Sequence, residues 1–247
     1  MATLPPWLLP HLACPFCRSS LQGEGVISCP GCGRTFRQRW GFWDLRAFRE
    51  RALLPWINRL PPVALGYEGW RRQAPRLLSC GRLSFAEELD WLRGWLLPTG
   101  GPLLDVGTGT GVYREALGEK AVGLDPSPAF LKVAAGRRPG AYLLAHGEAL
   151  PFREGSFGGV AIGPTWNEFL DPKRAALEAR RVLRKGGRLF GMLLLGPGSS
   201  LGLFRPSGEE LLSLLAEAGF HANLLRYGKL GLVLAQARGG CYLEAKG

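Results

Sequence analysis

The segment Leu103-Leu-Asp-Val-Gly-Thr-Gly-Thr-Gly-Val-Tyr113 constrains this chain more than any other. It reads as a buried strand, a loop of alternating glycines and the start of a helix. Glycine lets the backbone turn sharply and approach a ligand with no Cβ in the way, and a helix entry supplies unpaired N–H donors. A second short strand, Ala121-Val-Gly-Leu-Asp125, ends in a carboxylate 18 residues after Gly107. Together they describe a pocket for a nucleoside whose ribose hydroxyls are held by an acid.

The glycine spacing distinguishes one nucleoside from another. A dinucleotide fingerprint is G-x-G-x-x-G, its third glycine easing helix packing under a pyrophosphate. Here the pattern is G-x-G-x-G (Gly107, Gly109, Gly111), with Asp105 two residues ahead. That acid would repel a pyrophosphate and suits a ligand bearing an ammonium and a sulfonium, S-adenosylmethionine. The expected donor site comprises Asp105, Gly107, Thr108, Gly109, Gly111, Tyr113, Asp125, Pro126, Gly147 and Glu148. Glu148 reads equally well as a solvated loop carboxylate.

From Pro102 onward strands and helices alternate, which predicts an α/β, Rossmann-like doubly wound parallel sheet. Strands are expected near 102–106, 120–125, 141–145, 157–162 and 187–195, and helices near 111–118, 127–136, 171–184 and 207–218. Two further strands in 220–236 turn at Gly228.

Residues 99–247 resemble a class I S-adenosylmethionine-dependent methyltransferase domain of the ubiquinone/menaquinone-biosynthesis kind (methyltransferase type 11-like). Beyond the two strands above, the likeness rests on Glu148-Ala-Leu-Pro-Phe152, Gly155-Ser-Phe157, Glu178-Ala-Arg-Arg-Val-Leu183, Lys185-Gly-Gly187, Ser207-Gly-Glu-Glu-Leu-Leu212 and Ala218-Gly-Phe220. The resemblance implies that Asp105 and the glycines hold the methionine end, that Asp125 binds the ribose, and that the last two strands form an antiparallel edge. It also implies an acid near the adenine, where this chain has His146, and another after Phe157, where it has Gly158.

Upstream, Cys14-Pro-Phe-Cys17 and Cys29-Pro-Gly-Cys32 are two C-x-x-C knuckles eleven residues apart. Four thiolates at this spacing converge on one structural Zn²⁺ in a small β-ribbon. Two disulfides would be the alternative, disfavoured because Met1 to Pro10, with no basic start and broken by Pro5, Pro6 and Pro10, reads as a poor signal peptide and reduced thiols are expected. The hairpin is expected over 21–28, turning near Gly23-Glu-Gly25. Gly33-Arg-Thr-Phe36 and Gly41-Phe-Trp-Asp-Leu45 would supply the next strand and its edge. The chain thus divides into a zinc-ribbon module (1–45), a basic, partly helical linker and cover (46–98) and the catalytic domain (99–247). In the cover, Ser84-Phe-Ala-Glu87 forms a capping box opening a helix to about Leu97.

Net charge is +11, and residues 34–82 hold 11 arginines against Asp44, Glu50 and Glu68, a surplus of 8. Such a segment beside a catalytic domain suggests RNA as partner, although an arginine-rich composition is another source of the same charge. No apolar run approaches the roughly 18 residues of a membrane span, so a cytoplasmic protein with no membrane partner is expected. Nothing in the sequence sets the oligomeric state, and a dimer is compatible with it.

Methyl transfer is an in-line displacement that depends mainly on positioning. Candidate catalytic residues are His146, Trp166 and Asn167, with Trp166 either stacking a planar acceptor or packing against the cover. Cys80 and Cys241 read as buried small hydrophobes rather than nucleophiles. A four-cysteine module ahead of this domain also resembles the zinc-containing ribosomal-RNA guanine-N1 methyltransferases, which implies a base nitrogen of RNA as acceptor. The alternatives are a small-molecule acceptor of the quinone-biosynthesis type and a non-enzymatic donor-binding scaffold.

Overall fold

The computed structural model describes residues 4–23, 25–48, 60–196 and 203–238. Cys241 and part of the cover segment, with Arg49, Arg51 and Arg59, lie outside the described residues.

The centre of the molecule is a run of four parallel strands that are buried on both faces: β5 (Leu103–Val106), β6 (Ala121–Asp125), β7 (Ala141–Leu144) and β8 (Phe157–Ile162). Their near-continuous apolar sequences are what a doubly covered parallel sheet requires. β9 (Leu183–Leu194) continues the sheet in parallel, and the hairpin β10 (Phe220–Tyr227) and β11 (Leu230–Ala237) closes it antiparallel. The full order is β10-β11-β9-β8-β5-β6-β7-β4-β3, with β4 (Phe42–Asp44) and β3 (Gln38–Arg39) at the far edge. Helices α1 (Pro61–Leu78), α2 (Phe85–Leu96), α3 (Arg114–Leu117), α4 (Pro128–Arg137), α5 (Pro172–Val182) and α6 (Gly208–Glu217) cover the two faces. The capping box at Ser84 forms as expected, and Ser207 with Glu210 makes a second one.

Local chemistry departs from the sequence reading at two places. The helix expected over 111–118 is reduced to Arg114–Leu117. Gly107, Gly109 and Gly111 all have positive φ (66°, 54° and 78°), so the chain cannot enter a right-handed helix until the third glycine is passed. The glycine loop itself, rather than a helix N-terminus, therefore faces the ligand side.

The second departure concerns Gly41–Leu45. The ribbon sheet consists of β1 (Ile27–Ser28) and β2 (Thr35–Phe36), but β4 (Phe42–Asp44) does not edge it. β4 instead pairs in parallel with β7, with Trp43 opposite Leu143 and Asp44 opposite Leu144, while β3 (Gln38–Arg39) flanks it antiparallel. The reason is apolar burial: Phe42, Trp43 and Leu45 are 5%, 3% and 0% exposed, covered on both faces, which a two-stranded ribbon cannot provide. The ribbon is tied down further by the pairing of Leu12 with Phe152 and by Arg18, which reaches Glu178 at 2.8 Å and Leu150 O at 3.0 Å.

Candidate functional site

Strand order reverses at β5, which has β6 on one side and β8 on the other. Ligand crevices of open α/β sheets form at such switch points, beyond the strand C-termini. A cavity of about 1000 Å³, its mouth included, opens there, and the residues following β5, β6, β7 and β8 line it.

Asp105 forms the floor, 3% exposed, accepting a 2.6 Å hydrogen bond from Thr108 Oγ1. Burial pushes its carboxyl up to about 6. Asp125 staples the loop: its Oδ2 accepts from Gly109 N at 3.0 Å and its Oδ1 from Ser127 N at 2.8 Å. At Gly107 a Cβ would lie 2.3 Å from Thr165, so glycine is needed here for contact as well as for φ. Of the expected donor residues, Asp105, Gly107, Thr108, Gly109, Tyr113, Asp125, Pro126, Gly147 and Glu148 all line the cavity. Gly111 does not; a Cβ there would meet Tyr142 Oη at 2.9 Å and Ala134 at 3.2 Å, so it serves close packing of the loop on α4.

The opposite wall comes from α1, which contributes Tyr67 and Arg71 one turn apart. Arg71 is 3% exposed and bonds Glu88 of α2 through both terminal nitrogens, Nη1 to Oε2 at 3.0 Å, with Tyr113 Oη donating to the same carboxylate. Glu88 is fully buried, and its charge holds the Arg71 guanidinium above its usual range. Burial pushes the Tyr67 phenol up to about 12. On the outer side of α1, Glu68 binds Arg72 at 3.0 Å, Arg137 at 2.7 Å and Arg138 at 2.6 Å, which brings its carboxyl down to about 2. This cluster fastens the cover helix to α4.

The three catalytic candidates separate. His146 lines the cavity, and Phe48 stacks on its ring at 3.9 Å between centroids. Trp166 is fully buried, packed edge-on against Phe169 and close to Gly191 of β9, and does not line the cavity. Asn167 is 3% exposed and clamps backbone, accepting from Leu194 N at 2.8 Å and donating to Leu194 O at 2.9 Å. Their loop instead presents Gly163, Pro164, Thr165 and Glu168 to the cavity. Sequence reasoning missed Phe48, Tyr67 and Arg71. A buried acid inside the apolar helical stripe of Leu89, Leu92 and Leu96 was the signal that could have pointed to Glu88 and its partner.

The basic segment is partly neutralised within the fold. Arg71, Arg72 and Arg46 sit in ion pairs and Arg39 lies 3.8 Å from Asp44, while Arg34, Arg37, Arg39, Arg76 and Arg82 are exposed. Cys80 is exposed rather than buried, in a turn with φ of 55°.

The sulfurs of Cys14, Cys17, Cys29 and Cys32 lie within 4.8 Å of one another, with Cys14 to Cys32 at 3.7 Å and Cys17 to Cys29 at 3.3 Å. A tetrahedral Zn–S₄ centre needs S···S separations of about 3.8 Å, so the donor set and its spacing fit a closed, structural zinc site. Among the described residues no helix is long and apolar enough to cross a membrane.

Comparison with known proteins agrees with this geometry. Residues 104–191 match the family described as methyltransferase domain, and residues 6–37 match the Trm112p-like protein family. An uncharacterized methyltransferase of Mycobacterium tuberculosis is 38% identical over 135 residues, covering 52% of this chain and 53% of that protein. The demethylmenaquinone methyltransferase of Thermotoga maritima is 35% identical over 103 residues, 39% of this chain and 45% of that protein. The chain therefore spans about half the length of these curated relatives. In structure, a chain from the complex between the Haloferax volcanii Trm112 methyltransferase activator and a methyltransferase superposes with a TM-score of 0.58 at 17% identity, covering 77% of this chain and 100% of that one. This last likeness shows the fold alone.

Proposed function

We propose that this chain, which carries an S-adenosylmethionine-dependent methyltransferase domain behind a Trm112p-like zinc module, methylates a base nitrogen of ribosomal RNA. The observation that carries the donor assignment is the cavity at the β5–β8 switch point, which Asp105, Asp125 and Arg71 line together with the glycine loop. S-adenosylmethionine supplies a methyl group on a sulfonium, open to in-line attack. Asp105 binds the ammonium and offsets the sulfonium charge, Asp125 takes the ribose hydroxyls, and Gly147 and Glu148 border the adenosine. Arg71, held by Glu88, would pair with the carboxylate of the methionine moiety. Tyr67 and α1 exclude water from the reacting centre. His146, which lines the cavity, is the candidate proton acceptor.

The acceptor reading rests on the zinc module and its exposed arginines. A Trm112 activator is a separate chain in the Haloferax volcanii complex, whereas here the Trm112p-like module is in the same chain and the strands that follow it, β3 and β4, join the sheet of the methyltransferase domain. We read the module as an activator in the same chain, covering the β7 edge and carrying Phe48 to the cavity. Chelating zinc should then lower the melting temperature of the whole chain and not only loosen residues 11–45. Reduced thiols at such a site suit a cytoplasmic protein.

A small-molecule acceptor is the second reading, favoured by the demethylmenaquinone methyltransferase match and by the apolar Phe169 and Leu170 at the cavity. Labelled methyl transfer into RNA and into organic-soluble fractions from a strain lacking the gene separates the two. Label in ribosomal RNA supports the first, and label only in the organic fraction supports the second. Donor binding with no transfer to any fraction supports the scaffold.

A further inference from the structure

The hairpin joining β3 and β4 turns through two residues, Trp40 and Gly41, with φ of 53° and 89°. Positive φ at both central positions is the conformation that selects asparagine, aspartate or glycine at the first of them. A tryptophan there is disfavoured by its backbone, and it is also 50% exposed, so packing does not account for it. Arg46 accounts for its orientation. The guanidinium lies over the indole, 5.3 Å from its centroid, and is itself fixed by two bonds to Asp44, at 2.8 and 2.7 Å, and one to Pro126 O at 3.2 Å. Pro126 lines the donor cavity. One indole face is thus backed by an anchored cation beside the cavity rim.

The surroundings are basic. Arg37, immediately before the edge strand β3, and Arg39 within it are both exposed. The acid of this patch, Asp44, is engaged by Arg46 and lies 3.8 Å from Arg39. An aromatic face flanked by arginines is the composition that binds single-stranded nucleic acid, bases on the ring and phosphates on the cations.

We propose that Trp40 is a stacking platform for an unpaired nucleobase of an RNA strand passing the cavity mouth, with Arg37 and Arg39 on its phosphates. The inference rests on the RNA reading above and adds to it a site outside the catalytic cavity. The open indole face takes the base, and Arg46 behind it keeps the ring in place.

The test uses the full zinc-loaded chain and a fluorescein-labelled single-stranded RNA of about 12 nucleotides, followed by anisotropy across a salt series. Trp40→Gly suits the turn's φ, so the variant should fold with an unchanged or higher melting temperature. It should bind about tenfold or more weakly, with the salt slope preserved. Trp40→Phe should stay within about threefold of the wild type. Arg39→Gln should instead flatten the salt slope by about 0.7. Wild-type affinity in Trp40→Gly overturns the platform while leaving the RNA reading intact. Failure of the wild type to bind the RNA, or equal competition by a polyglutamate peptide, overturns both.

Discussion

At the donor end of the cavity, the groups that line it come from three short stretches, 105–109, 125–127 and 146–148, each at the C-terminal end of a strand. At the cover end they come from one helix, α1, and Arg71 there is held by a carboxylate on another, Glu88 of α2. The donor end is local, so sequence spacing sets it; the cover end is tertiary, and only the packing of two helices creates it. The difference teaches where this cavity is fragile. The first end fails when a loop conformation is lost, the second when a buried charge loses its partner.

Glu88→Ala strikes the second end and should have the largest effect. It strands the Arg71 cation in a site 3% exposed, which costs about 3–5 kcal/mol. The melting temperature should fall accordingly. Arg71→Met with Glu88→Leu removes both charges and should restore most of that stability while donor affinity stays low. Recovery of donor binding together with stability would mean that Arg71 only braces the helices. Gly107→Ala strikes the first end. The residue has φ of 66° and Thr165 stands 2.3 Å from the added Cβ, so a loss of about 1–3 kcal/mol and of donor binding is expected by calorimetry.

Asp125→Ala should weaken S-adenosylmethionine about 10- to 100-fold in equilibrium titration, since a charged acceptor is removed. Because Asp125 also fixes Gly109 and Ser127, hydrogen exchange over 107–111 should quicken in the same variant. A pH series gives the smallest effect. The Asp105 carboxyl stands at about 6, above its unfolded value, so its fold-opposing contribution grows as pH rises from about 4 to 6. A cationic donor needs the ionised form. Donor affinity should therefore tighten about tenfold between pH 5 and 7, with proton release on binding, and Asp105→Asn should flatten the profile.

The fold was largely legible because its signals are local. Strand periodicity, the glycine spacing and the two terminal acids each lie within a few residues of one another, and so do the paired cysteines. What stayed hidden required knowledge of distant partners. Phe42–Leu45 reads as the edge of a ribbon until β7 is available to pair with it. Trp166 and Asn167 have the chemistry of acceptor contacts and the position after β8 that suits them, but their burial turns them inward to hold the loop on β9. Arg71 looked like surplus charge for RNA because its neutralising partner lies 17 residues away on another helix. Among the described residues, the arginines that stay exposed, Arg34, Arg37, Arg39, Arg76 and Arg82, are the part of that surplus still available to a partner.

The central claim is that donor-end acids and a cover-end arginine hold one ligand between them. Titrating S-adenosylmethionine and its decarboxylated analogue into the wild type and the Arg71→Met/Glu88→Leu variant tests it most directly. The wild type should prefer the carboxylate-bearing donor by about tenfold or more, and the variant should bind the two alike. Equal affinity of the wild type for both ligands would contradict the account.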